Sequence, residues 1–291
     1  MTQLWSLLRF ALRETLGPPR LTRGPTPLAV LGDEGFLAAM RDGGRSTGRL
    51  AAGFLYHSAR ISQLLTGRRR CADLGCGDGT QTVQVAALNP SVEFVGIDRS
   101  PLLLEAAAAL AQEAGVHNVS WVCDTLPALP RTGDRSFDMV MSTMTLHDLP
   151  TLDEVARTLA GIRRIAADDA GFYLEDFARL KADASVDCLV QMNSPGGLDG
   201  FSRLYGLSLR AAYTLPELKQ VFARELPQVT VHATAPIPFL IVAKTADRSL
   251  SDAQRAQIVS LRAALPVSAQ RDLLALCRAF RLGGLDGDPF A

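Results

Sequence analysis

The residues whose types and spacing carry the most chemistry are Asp73-Leu74-Gly75-Cys76-Gly77-Asp78-Gly79. Glycine at every second position lets the backbone turn tightly and lets a ligand come close to it. The turn follows the short apolar run Cys71–Leu74 and precedes a helix-like segment, Thr80–Leu88. In an open parallel sheet, that is where nucleotide-like ligands bind, at the carboxyl ends of the strands. Two phosphate-binding patterns describe it less well. The nicotinamide fingerprint G-x-G-x-x-G needs glycine where Thr80 stands, and Asp73 would lie near a pyrophosphate. A phosphate-binding P-loop needs a lysine after its last glycine, and no Lys occurs before Lys181. Asp73 suits a cationic ligand group better than a phosphate.

The elements that must hold this turn are legible around it. Trp5, Leu8, Leu12 and Leu16 recur at helical spacing and predict an N-terminal helix buried on that face, ended by Gly17-Pro18-Pro19. A polar, Gly/Pro-containing stretch follows, then a helix over about 49–65 with Leu50, Phe54, Ile61 and Leu65 inward. From Arg70 the rhythm becomes strand and helix in alternation. Strands are predicted at 71–74, 92–98, 119–123, 137–142 and 171–176, with helices at 80–88, 101–114 and 152–166. This spacing indicates βαβ units and a parallel sheet with right-handed crossovers. Residues 177–213 break the rhythm and read as an insertion over one end of the sheet. A helix at 215–224, two strands at 228–234 and 239–244, and a helical tail over 249–291 complete the chain.

Residues 70–176 resemble the class I S-adenosylmethionine-dependent methyltransferases, and the likeness extends to about 246. It rests on D-x-G-x-G-x-G at 73–79, Asp98 and Asp124 ending the second and third strands, and Phe137-Asp138-Met139-Val140 opening the fourth. Thr145-Leu146-His147-Asp148-Leu149 follows, resembling an L-H-H-L segment of small-molecule methyltransferases, with Asp148 replacing the second histidine. The resemblance implies an α/β, Rossmann-like fold, a seven-stranded mostly parallel sheet with an antiparallel last strand, and S-adenosyl-L-methionine as cofactor. It implies that Asp73, Gly75, Cys76, Gly77 and Gly79 form the cofactor loop. Asp98 with Arg99 would serve the ribose, since carboxylates accept from a vicinal diol; an N-cap for the next helix is the plainer reading of Asp98. Asp124 with Thr125 would serve the adenine, and Thr143 and Met144 would line the same pocket. Tyr56 and Arg60, i,i+4 neighbours, would lie over the methionine end, with Arg60 on its carboxylate; a solvated helix face is the alternative. His147 is a candidate to activate a substrate hydroxyl or amine, or else binds a neighbouring helix. Asp148 is a candidate acceptor for a substrate N–H or O–H. Side chains alternate along a strand, so only one of Glu175 and Asp176 faces the site, and Asp176 is the expected one.

Composition sets the outer limits. The 291 residues, 47% of them apolar, suit one α/β domain with appended segments. We divide them into a helical cap at 1–69, a methyltransferase domain at 70–246 with a lid at 177–213, and a helical extension at 247–291. Within the lid, Asn193, Tyr205 and Arg210 are candidate substrate contacts. Basic and acidic residues both number 30. That balance, with no N-P-P-Y motif, argues against a nucleic-acid partner. No stretch has the length of a membrane span. The five cysteines form no CxxC pair and their number is odd, which favours a reducing, cytoplasmic setting. The four histidines are scattered, so no metal site is expected. The expected function is methyl transfer to an O or N atom of a small molecule, mainly by proximity and alignment. An S- or peptide-directed enzyme and a non-catalytic partner subunit are the alternatives. The tail either packs back on the domain or forms a homodimer through its helices.

Overall fold

The computed structural model describes residues 2–194 and 196–290, with side chains from Leu8 onward. Three helices precede the sheet: α1 (Thr2–Leu16), α2 (Pro27–Gly43) and α3 (Ala51–Leu65). The alternating core then runs β1 (Arg70–Leu74), α4 (Thr80–Leu88), β2 (Glu93–Asp98), α5 (Pro101–Glu113), β3 (Val119–Cys123), β4 (Phe137–Thr143), α6 (Leu152–Ile165) and β5 (Ala166–Phe177). Helices α7 (Asp183–Met192) and α8 (Gly200–Ala211) occupy the insertion. After α9 (Leu215–Glu225) come β6 (Thr230–Ala233) and β7 (Leu240–Lys244), then α10 (Asp252–Ala264) and α11 (Val267–Leu282).

The seven strands form one sheet in the order β3-β2-β1-β4-β5-β7-β6. The β1–β2, β2–β3, β1–β4 and β4–β5 pairs are parallel, and β7 runs antiparallel to both β5 and β6. The order reverses between β1 and β4, which is the switch point where such sheets open a ligand crevice. Strand alternation sends successive residues to opposite cores. Cys71, Met139, Met141 and Tyr173 join α3, α4 and the tail on one face; Ala72, Val140, Phe172 and Leu174 join α6 and α9 on the other. The strand β5 begins at Ala166, earlier than the expected Gly171, because α6 passes directly into it and Ala166 pairs with Phe137.

Helix starts follow local chemistry. Ser100 accepts from the Leu103 amide with Pro101 in the first turn of α5, and Thr214 and Glu217 form a reciprocal capping box on α9. The polar, Gly/Pro-containing stretch after α1 contains α2, which a break at Gly32 (φ 66°, ψ 176°) divides. The helix was signalled by Thr26-Pro27, a cap followed by proline at the first helical position.

The N-terminal helix forms, but its expected buried face is turned outward. Leu8, Leu12 and Leu16 are exposed, and Trp5 lies outside the described side chains. Phe10 and Glu14 are the buried residues instead; the Glu14 carboxylate accepts from the Lys181 amide at 3.0 and 3.1 Å. Helical spacing identifies a stripe, and the neighbours decide whether it is covered. The tail packs back on α3. Phe280 is fully buried and stacks on Tyr56, with centroids 5.3 Å apart. Burial of such a side chain contributes about 1.5–3 kcal/mol.

Candidate active site at the carboxyl ends of the strands

The loop after β1 needs its glycines for two different reasons. Gly75, Gly77 and Gly79 all have positive φ, at 68°, 54° and 74°. A Cβ on Gly75 would collide with Thr145, and one on Gly79 would meet Ala107 Cβ at 2.7 Å. Those two glycines are required by packing. A Cβ on Gly77 would meet only Phe36, at 3.5 Å, so this glycine keeps a cradle open. The loop is fastened from β4: the Ser142 hydroxyl donates to Leu74 O at 2.8 Å, and the single Thr145 hydroxyl proton is shared among Leu74 O, Gly75 O and Thr143 O at 3.2–3.3 Å.

Asp73, directly before the loop, is buried. Its Oδ2 accepts from Thr82 Oγ1 at 2.5 Å, while Oδ1 has no protein partner. Burial, with a lesser push from Asp98, raises its pKa to about 7 despite the Thr82 bond. Asp98 ends β2 and accepts from the Gly77 amide and the Ser100 amide, each at 3.0 Å. It therefore aligns the loop and the start of α5 while its remaining lone pairs stay available. Burial raises its pKa as well. Asp124 is more heavily committed: its oxygens accept from the Thr125 amide, the Arg131 amide and Thr132 Oγ1, each at 2.9 Å. A carboxylate offers about four acceptor positions, so about one remains free.

After β4, a single helical turn at Leu146–Asp148 carries the polar group of the site. His147 is buried, with Nδ1 2.7 Å from Asp176 Oδ1 and its amide 2.9 Å from Asp176 Oδ2. Its Nε2 is 3.9 Å from Asp148 Oδ2. Burial pulls this imidazole down, but Asp176 and Asp148 outweigh it, and the pKa is pushed up to about 9. With a carboxylate facing each ring nitrogen, His147 is set up as a donor between Asp176 and Asp148. Asp176 also accepts from the Phe177 amide at 2.6 Å, three bonds in all. Asp176, the expected member of the pair, is buried against His147 and does not reach the cavity wall. Glu175 points to the opposite face, with Oε1 3.6 Å from His57 Nε2.

Asp98, Asp124 and Asp148 converge on one cavity of about 440 Å³. Gly75, Gly77, Arg99 and Met144 also line it, and Thr26, Leu28 and Phe36 close it from α2 and its cap. Met144 stands at φ 55°, an unusual backbone for a non-glycine residue at the β4 exit. The α2 contribution was missed in the sequence. So was Arg23, whose guanidinium donates to Ala211 O, Pro150 O, His147 O and Leu149 O at 2.6–2.8 Å and lies 4.2 Å from the Tyr213 ring centroid. All its hydrogen-bond partners are main-chain carbonyls far away in sequence, so no residue pattern reveals it.

Residues 67–211 match the family model described as a methyltransferase domain. This region is a class I methyltransferase domain. The trans-aconitate 2-methyltransferase of Streptomyces coelicolor is 38% identical over 108 residues, which is 36% of this chain and 35% of that protein. The uncharacterized methyltransferase YcgJ of Bacillus subtilis is 32% identical over 108 residues, 37% of this chain and 40% of its own. The matched segment thus spans two fifths or less of these relatives. The crystal structure of the plantazolicin methyltransferase BpumL, in complex with a monoazolic desmethylPZN analog and SAH, covers 86% of this chain and all of its own at TM-score 0.55 and 11% identity, a likeness of fold.

Several expected residues lie away from this cavity. Gly79 and Cys76 belong to the loop but not to the cavity wall, and burial holds the Cys76 thiol well above its usual range. Thr125 is exposed and Thr143 contributes its carbonyl to Thr145. Tyr56 and Arg60 are buried between α3 and the tail, where Arg60 donates to Asp286 O and Gly287 O at 3.0 and 2.6 Å. Arg60 therefore clasps the tail, buried away from solvent and away from the cavity wall. Asn193, Tyr205 and Arg210 are likewise committed: to Leu189 O, to the Phe201 ring, and to Asp183 and Asp187. Arg60→Met is expected to raise amide hydrogen exchange at 286–290 while changing S-adenosylhomocysteine affinity less than about twofold, as for a site without shared partners. A large affinity loss with the tail still protected would restore Arg60 to the cofactor site.

No helix among the described residues is long and apolar enough to cross a membrane, and none of their His, Cys, Asp and Glu residues cluster as a metal site.

Proposed function

We propose that this chain is an S-adenosylmethionine-dependent methyltransferase that acts on an O or N atom of a small molecule. The observation that carries the reading is the convergence of Asp98, Asp124 and Asp148 with an open glycine loop on one cavity beside the sheet's switch point. The residues fit the cofactor. A buried carboxylate with an unpartnered oxygen, Asp73, stands at the loop that would hold a cationic sulfonium ligand, and Gly77 leaves a cradle that a side chain would fill. Asp98 would take the ribose hydroxyls and Asp124 the adenine end. When bound, the cofactor supplies a methyl group on positively charged sulfur, which departs with the bond electrons as a neutral thioether. The methyltransferase relatives and the SAH-bound fold neighbours support the same cofactor.

The chain's own task is alignment, which can contribute several kcal/mol by removing the entropy of encounter. Leu28, Ala29 and Phe36 of the cap helix α2 line the cavity, and α8 packs against α2 from behind. Asp148 is the carboxylate placed to accept the proton of an attacking hydroxyl or amine. His147 Nε2 lies 3.9 Å from it, with the imidazole fixed on its other side by Asp176. The calorimetric test uses S-adenosylhomocysteine, with NAD as control. Micromolar or tighter binding of S-adenosylhomocysteine alone is the expected result; binding of NAD alone, or of neither, would overturn the cofactor assignment. Trans-aconitate, the acceptor in the names of some relatives, carries three carboxylates and fits the polarity of this wall poorly.

A further inference from the structure

Once Asp98 and Asp124 are assigned to the cofactor, the charged groups left on the cavity wall are Asp148, Glu154 and Arg99. Asp148 has few partners. Its Oδ1 accepts one long bond from the Leu28 amide, 3.5 Å, and its Oδ2 lies 3.9 Å from His147 Nε2. The lining includes no Lys, His, Asn or Gln side chain among the described residues. Several of the donors nearby are already engaged, and the Thr26 hydroxyl on the wall accepts from the Ala29 amide. The Gly75 and Cys76 amides donate to Ile97 O, and the Gly77 amide to Asp98. Arg23 spends its guanidinium on four carbonyls, and Arg45 is paired with Asp78 at 3.0 Å. Arg99 is the one cation on the described wall; it is 60% exposed, lies 3.9 Å from Asp33, and is screened by solvent.

A carboxylate entering this cavity would lose its water and find Asp148 and Glu154 facing it, with exposed Arg99 as the one basic side chain on the described wall. An ammonium or a hydroxyl would find Asp148. We infer that the acceptor subsite takes small molecules presenting an amine or hydroxyl donor to Asp148, neutral or cationic overall, and excludes carboxylic acids. This rests on the methyltransferase reading and narrows it to a substrate class. It also makes Asp148 the specificity-determining residue of the site.

The test uses the protein saturated with S-adenosylhomocysteine, after calorimetry has shown that it binds. Loss at that first step counts against the cofactor reading and is recorded separately. Benzylamine is then compared with benzoate, and phenethylamine with phenylacetate, by calorimetry and thermal shift; trans-aconitate is added as a tricarboxylate. The amine of each pair is expected to bind roughly tenfold tighter or better, as for a charge-assisted hydrogen bond. Asp148→Asn should erase the difference and Asp148→Glu should keep part of it. Tighter binding of the carboxylates or of trans-aconitate overturns the inference. So does binding of neither member of any pair, or a preference for amines that survives in Asp148→Asn. The wild-type comparison stands even if a variant fails to fold.

Discussion

Asp98→Ala is expected to weaken S-adenosylhomocysteine binding by about 1.5–3 kcal/mol, roughly 10- to 150-fold, the loss typical of hydrogen bonds to a charged group. The carboxylate has two duties. Toward the protein it accepts from the Gly77 and Ser100 amides, each at 3.0 Å, and so sets the glycine loop against α5. Toward the cavity its remaining lone pairs stand where the ribose diol is proposed to lie. Alanine removes both, so the variant loses alignment as well as contact. Asp98→Asn separates the two duties, since an amide oxygen can still accept one backbone bond but carries no charge. Titration calorimetry on folded protein, checked by circular dichroism, reads the effect. Unchanged affinity in Asp98→Ala would remove the ribose assignment. Recovery of most of the affinity in Asp98→Asn would show that loop alignment, and not charge, is the main duty.

The second large effect is on stability and depends on pH. His147 is buried beside Asp176 and Asp148, and its pKa is pushed up to about 9 from an ordinary 6.5; burial and Arg23 pull it down, and the two carboxylates outweigh them. A group whose folded pKa exceeds its unfolded value contributes stability that is fully present below the unfolded pKa. That contribution disappears as pH rises through the folded value. The wild type is therefore expected to be more stable than His147→Gln at pH 6, by up to about 3 kcal/mol from this term, and to lose that advantage by about pH 10. Urea unfolding at both pH values measures it. Groups that titrate alike in both proteins cancel in the difference; Asp148, Asp176 and Arg23 are the ones that couple to the imidazole. An advantage of the same size at both pH values would mean that His147 is held neutral, which would also reopen a role for it as a base.

Arg23 shows why some of the site is invisible in the chain. Its bonds to four main-chain carbonyls join the N-terminal segment, the turn after β4 and the end of α8. Main-chain carbonyls are present at every residue, so nothing in the side-chain order marks these four. The same applies to the outer face of α1. The spacing of Leu8, Leu12 and Leu16 makes a stripe, but Phe10 and Glu14 meet α7 and its approach, and the stripe stays in solvent.

The sequence by itself determined the strand and helix order from β1 to β5 and from α9 to β7, the glycine loop, and the acids at the ends of β2 and β3, while α7 and α8 in the insertion were not legible. Each follows from forces that act within a few residues: period-two burial, helix caps, proline and glycine punctuation, and the positive φ that Gly75, Gly77 and Gly79 adopt. The tertiary structure alone decided which polar residue faces the cavity. His147, Asp148 and Asp176 were all candidates, and adjacent side chains in one turn differ by where the packed helices leave space. Packing buried His147 and Asp176 together and left Asp148 at the wall, while the tail enclosed Arg60. Burial, charge state and access belong to surroundings assembled from distant segments, so residue type and local spacing do not contain them.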